Sequence, residues 1–161
     1  MVVMSAETLS VAHRFAQAFN TRDVDRVLEV FTPDAVYHDL FYGRFDHHAG
    51  LRALFGRMYS EGTQHEWTMT HVVRSPGCTI GQWHFAFTLS DAAPRGSGRT
   101  LRFSGVSVFE TRGGRCHTYR EYFDRTAALF AVGIAPDAVA RVLAHRPSVQ
   151  MSLPEAGTLS R

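Results

Sequence analysis

Over the first third of the chain, apolar positions recur at helical spacing. Leu9, Ala12, Phe15 and Phe19 share one face of a segment running from Ala6 to Phe19, and Ser5 is placed to cap it. Val24, Val27, Leu28 and Phe31 repeat the pattern in a second helix that opens near Thr21 to Asp23. Pro33 stops it, because proline has no amide hydrogen for the helical ladder. Ala35 to Leu40 reads as a short extended segment, and the polar, histidine-rich stretch from Gly43 to Gly50 as a loop at a pocket rim. A third helix carries Leu51, Leu54, Phe55 and Met58 on one face, with Gly62 at its C-terminal cap.

The period then drops to two. Trp67, Met69, His71 and Val73 alternate with Glu66, Thr68, Thr70 and Val72, and Ser75-Pro76-Gly77 supplies a turn before a second long strand from Thr79 to Leu89. Residues 91–99 form a flexible connection. Leu101–Thr111 and Arg115–Phe123 then flank Gly113-Gly114, the signature of a hairpin. Thr126–Gly133 and Pro136–His145 read as short terminal helices, Pro136 suiting a first turn. Helices followed by a strand meander predict an α+β protein in which helices pack on one face of a curved antiparallel sheet.

Composition narrows the chemistry. At 161 residues, 45% of them hydrophobic, the chain predicts one domain over residues 1–146 and a flexible tail over 147–161. All seventeen basic side chains are arginine, so Schiff-base chemistry, pyridoxal phosphate attachment and a P-loop lysine are excluded. The net charge of +2 is spread along the chain without a basic stripe, which speaks against nucleic acid as a partner. No basic n-region or bilayer-length apolar run is present, so the expectation is a soluble, cytoplasmic protein with no membrane partner. Cys78 and Cys116 have neither disulfide-scaffold nor zinc-ribbon spacing and read as reduced, packed thiols. His38, His47, His48, His65, His71 and His84 lack any His-Glu-x-x-His arrangement, so no metal and no cofactor is expected.

Three ordered segments carry a family resemblance: Phe19-Asn20-Thr-Arg-Asp23 with Phe31-Thr-Pro-Asp-Ala35, then Gly105-Val-Ser-Val-Phe109, then Tyr119-Arg-Glu-Tyr-Phe-Asp124. Together they resemble the nuclear-transport-factor-2-like (NTF2-like) superfamily, in particular the SnoaL-like polyketide cyclases and limonene epoxide hydrolase. The resemblance implies a cone-shaped sheet packed on N-terminal helices around one pocket, an α+β roll commonly found as a homodimer. It also implies a cofactor-independent enzyme acting on a hydrophobic small molecule, most naturally a cyclase, with isomerase, dehydratase, hydrolase or a non-catalytic binding module as alternatives of the same fold.

On that resemblance Asp124 corresponds to the acid that ends the last strand and serves as general acid or base. Tyr37 and Asp39 correspond to a Tyr-x-Asn pair that positions water, and Asp39 also to the proton-shuttling aspartate of ketosteroid isomerases. The departures are informative. The hydrolase's Arg-x-Asp pair is replaced by Trp83 and Phe85, and the isomerase's oxyanion donors by Phe15 and Ser107. Both of those reactions are therefore disfavoured. Read from the residues alone, Asp124 is either a pocket acid or the N-cap of the following helix, and Tyr37 and Asp39 are either functional or an ordinary strand-end pair. A carboxylate lined by Trp83, Phe85, Phe87 and Phe103 would be poorly solvated and suited to proton transfer, as Asp124 is if it reaches them; on its strand Asp124 shares a face with Tyr122 and Arg120, while Glu121 and Phe123 point the other way. His47 or His48 on the rim is a candidate second acid or base near Asp39.

Overall fold

A computed structural model describes residues 9–147. Helix α1 spans Val11–Asn20 and is capped by Ser10, whose Oγ accepts from the His13 amide at 3.2 Å. The expected cap, Ser5, lies outside the described residues. The face carrying Val11, Ala12, Phe15, Ala16 and Phe19 is buried, and Phe15 and Phe19 are fully so, each adding roughly 2–3 kcal/mol of hydrophobic stabilisation. Helix α2, Val24–Glu29, is capped by Asp23 and ends before Phe31, because the chain is already extended there.

Strand β1 is Phe31–Asp39, β2 Gly43–Asp46 and α3 His47–Glu61; β3 is Gly62–Ser75, β4 Cys78–Leu89, β5 Thr100–Arg112 and β6 Arg115–Tyr122. The expected rim loop over Gly43 to Gly50 is instead β2 and the first turn of α3, with β1 and β2 closing a hairpin through residues 40–42. Gly62 is no left-handed cap: its φ of −138° is extended, and it opens β3. Gly113 and Gly114, at φ 58° and 75°, supply the two left-handed residues that the predicted β5–β6 hairpin turn requires.

The sheet order is β2-β1-β6-β5-β4-β3. It is not wholly antiparallel as expected, since β1 runs parallel to β6. That parallel pairing places the C-terminal end of β1 beside the C-terminal end of β6, and so brings Asp39 alongside Glu121. The six strands curve around α1, α2 and α3, whose apolar faces fill the inner side with Phe15 at the centre of the aromatic core. Helices α4, Arg125–Ala131, and α5, Pro136–His145, close the open end. Their seat is fixed by Arg125, which donates to the Leu40 carbonyl at 3.1 Å and the Arg146 carbonyl at 2.7 Å, and by Arg146, which donates to the Phe41 carbonyl at 2.9 Å. The expected tail lies, from residue 148 onward, outside the described residues.

Candidate active site

Strand alternation decides which side chains reach the interior. On β6, Tyr119 and Glu121 face inward, while Arg120 and Tyr122 face out. On β1, Ala35, Tyr37 and Asp39 face inward. The two inward carboxyls meet beneath the 40–42 turn, near enough for a proton to be shared between them. Asp39 Oδ1 accepts from the amides of Phe41 and Tyr42, both at 2.7 Å. Glu121 Oε1 accepts from the Leu40 amide at 3.1 Å and its Oε2 from the Tyr119 hydroxyl at 3.0 Å.

Both acids are buried, Asp39 at 7% exposure and Glu121 at 5%. Burial pushes the Asp39 carboxyl up to about 6, even though the two amides stabilise its charged form. Glu121 is raised well above the glutamate range, first by burial and then by the Asp39 charge beside it. Two carboxyls buried side by side do not both ionise readily, so the pair favours holding one proton between them.

A chain of donors runs toward Glu121. The Trp83 indole donates to Ser107 Oγ at 2.7 Å, Ser107 and the Tyr119 hydroxyl lie 2.7 Å apart, and Tyr119 donates to the glutamate. Trp83 can only donate and Tyr119 spends its proton on Glu121, so the Ser107 hydroxyl must point to Tyr119. Tyr37 stacks on Tyr119 with ring centroids 4.0 Å apart, behind the acids.

Phe41, Trp67, Phe85, Phe87, Phe103 and Phe123 wall the cavity in front of the pair, with Tyr42, Met58, Glu61 and His65 at its sides. Trp67 is held by a double backbone bond: Asn20 Nδ2 donates to its carbonyl at 2.9 Å and its amide donates to Asn20 Oδ1 at 2.8 Å. His65 is kept neutral, pushed down to about 4 by burial and by Arg22, whose Nη1 donates to its Nδ1 at 2.6 Å. Glu61 accepts from the Tyr42 hydroxyl at 2.6 Å and pairs with Arg57 at 2.8 Å. Among the described residues, no lysine or arginine lines the cavity. Its volume of about 40 Å³ is room for only a few water molecules.

Among the residues singled out from sequence, Phe85, Phe87, Phe103 and Asp39 line this cavity. Tyr37, Trp83 and Ser107 are buried one layer behind it, and Phe15 sits in the core. Asp124 does not reach it. Strand β6 ends at Tyr122, and the exposed Asp124 caps α4, its Oδ1 accepting from the Ala127 amide at 3.0 Å. Tyr122 is 58% exposed, and Arg120 pairs with Glu110 on the same outer face. The expected pleat phase was thus inverted relative to the pocket. His47, the exposed first residue of α3, is also outside the cavity. Sequence reasoning missed Glu121, although its signal was present: an acid flanked at two-residue spacing by Tyr119 and Phe123 sits on an aromatic strand face.

Fold and cavity define an α+β roll of the NTF2-like type with an acid pair under aromatic walls. The sequence matches the SnoaL-like domain family over residues 12–119, and the chain belongs to that family. Among curated proteins none matches it by sequence. Similar solved structures include a candidate polyketide cyclase from Silicibacter sp., with a TM-score of 0.68 and 17% identity, covering 77% of this chain and 93% of the other. A second candidate polyketide cyclase, from Pseudomonas putida, has a TM-score of 0.68 and 14% identity over 78% and 99% of the two chains. A limonene-epoxide-hydrolase-like epoxide hydrolase from M. tuberculosis has a TM-score of 0.62 and 18% identity over 84% and 93%. At these identities the likeness establishes the fold.

Proposed function

We propose that this chain is a cofactor-independent acid–base enzyme acting on a hydrophobic small molecule, and that it catalyses a cyclisation. The observation that carries the reading is the buried Asp39–Glu121 pair, with one proton between two carboxyls at the end of an aromatic cavity. Asp39 takes the proton of an attacking hydroxyl or enol, and protonated Glu121 gives its own to the oxygen that leaves or that becomes a hydroxyl as the ring of an epoxide opens. The bond between the two acids then returns the proton to Glu121, so the pair resets without solvent. Apolar walls and a narrow cavity favour a nucleophile from the substrate itself over water, hence ring closure over hydrolysis.

The test is a panel of epoxide-bearing alcohols and poly-β-ketone esters assayed with the parent, Asp39→Asn and Glu121→Gln. Turnover should fall by about 10²–10⁴-fold in each variant while circular dichroism is unchanged. Near-normal turnover in both would overturn the assignment and favour a binding module. The outer sheet face exposes Val73, Ile80, Val106 and Tyr122 in neighbouring register, and we infer that a second copy covers it to form a homodimer. Light scattering that gives a monomer at micromolar concentration would refute this.

A further inference from the structure

The acid pair ends a cavity of about 40 Å³, far below the ~300 Å³ or more that an apolar small molecule of drug size occupies. The body of any such substrate must lie elsewhere. A groove of about 390 Å³ abuts the cavity, and Phe41, Tyr42, Glu61 and Phe87 are common to both walls. Its far side is apolar, built from Leu101 of β5, Leu129 of α4, Val132 and Ile134 between the terminal helices, and Val142 of α5.

The charge of the groove is opposite to that of the cavity. Arg57, Arg95 and Arg146 line it, and its one acid, Glu61, is already paired with Arg57. Arg57 also stands over the Tyr42 ring at 4.5 Å, and Arg146 spends Nη1 on the Phe41 carbonyl. A guanidinium has five N–H donors, so each of the two keeps several for a ligand. Exposed Arg95 has no hydrogen-bond or ion-pair partner among the described residues. Acid chemistry at the closed end, an apolar middle and free arginine donors at the open end impose a polarity on whatever lies along the two spaces.

We propose that cavity and groove form one channel for an elongated amphiphilic acid, its apolar body along Leu129 and Val142 and its carboxylate at Arg95 and Arg146. That the inner end of the molecule is the end that reacts rests on the acid–base reading above; the preference for an anion does not. Arginine recognises carboxylate by paired, charge-assisted hydrogen bonds, which neither an alcohol nor an ammonium group replaces.

Quenching of tryptophan fluorescence, reported by Trp67 in the cavity wall, follows the binding of decanoate, 1-decanol and decyltrimethylammonium. Decanoate is expected to bind about fivefold more tightly than decanol, with the ammonium compound weakest, and the advantage should shrink at about 1 M salt. Arg95→Gln should remove most of the advantage and Arg95→Gln/Arg146→Gln all of it, whereas Asp39→Asn should retain it. Equal affinities, tightest binding of the ammonium, an advantage that survives the double substitution, or no binding of any of the three would each overturn the proposal. Loss of turnover in Asp39→Asn with the decanoate preference intact separates this outcome from failure of the acid–base reading.

Discussion

Ser107→Ala removes one oxygen from the middle of the donor chain, and its cost follows from what that oxygen does. Ser107 and Tyr119 are wholly buried and Trp83 is 1% exposed, so water cannot replace a lost partner. The Trp83 N–H, now 2.7 Å from Ser107 Oγ, would be left without an acceptor, at ~1–3 kcal/mol. Tyr119 would lose a donor at 2.7 Å but keep its bond to Glu121, adding ~0.5–1 kcal/mol. The expected loss is therefore about 1.5–4 kcal/mol, read as a drop of about 1–2 M in the urea midpoint with an unchanged slope.

Tyr119→Phe breaks the same Ser107–Tyr119 contact from the other side and also strips Glu121 of its hydroxyl donor. The double variant should then lose less than the sum of the singles, by ~0.5–2 kcal/mol, because the shared bond is counted twice. Ser104→Ala is the control. Its hydroxyl bonds His84 at 2.6 Å on an exposed face, and its loss should cost under ~0.5 kcal/mol. A Ser107→Ala loss no larger than that of the control, or strict additivity with Tyr119→Phe, would refute the donor chain.

The acid pair makes stability fall with rising pH. The folded chain retains at Asp39 a proton that the unfolded chain releases near 3.8, so stability contributed below that value is lost up to about pH 6, by ~3 kcal/mol at most; comparing the pH profiles of parent and Asp39→Asn isolates it. Carboxyl ¹³C shifts should place the Asp39 midpoint near 6. Asp124→Ala should cost ~1 kcal/mol through the lost cap of α4, be rescued by Asp124→Ser, and leave turnover per folded molecule unchanged; a large fall in turnover with stability retained would return Asp124 to the chemistry. Gly105→Ala would set a methyl against the Trp83 ring and 2.7 Å from the Tyr122 carbonyl, and thermal melting should show a loss of ~2 kcal/mol or more, because strand backbone cannot yield there.

The elements were legible in the sequence wherever one face of a helix or strand is apolar and the other is not. The α1 stripe through Phe15 and Phe19, the long alternation of β4 and the Gly113-Gly114 hairpin all follow from periodicity and turn chemistry. The β1–β6 pairing was not. A parallel contact between strands about eighty residues apart leaves no local signature, and that contact is what joins the two acids. The β5–β6 pairing carries a register irregularity at Glu110/Thr111, and bulges also interrupt β3, so counting alternate residues along one strand does not fix a common face for the sheet.

Glu121 and Asp124 lie three positions apart, and their environments assign them opposite work. A carboxylate at a helix N-cap is there to satisfy amides, and solvent keeps it inexpensive. Glu121 also accepts from an amide, that of Leu40, but it does so away from solvent. It is buried on an aromatic face beside a second acid, and among the described residues no lysine or arginine lines the cavity. Burying one carboxyl beside another is destabilising in a fold that fills its remaining interior with Phe, Tyr and Trp. An apolar side chain at 121 would strand the Leu40 amide and the Tyr119 hydroxyl, but a glutamine would keep an acceptor there without a second carboxyl, and Asp39 would still hold the 40–42 turn through its two amide bonds. A second carboxyl beside Asp39 is thus more than these hydrogen bonds require, and proton transfer is the chemistry for which two acids sharing one proton are suited.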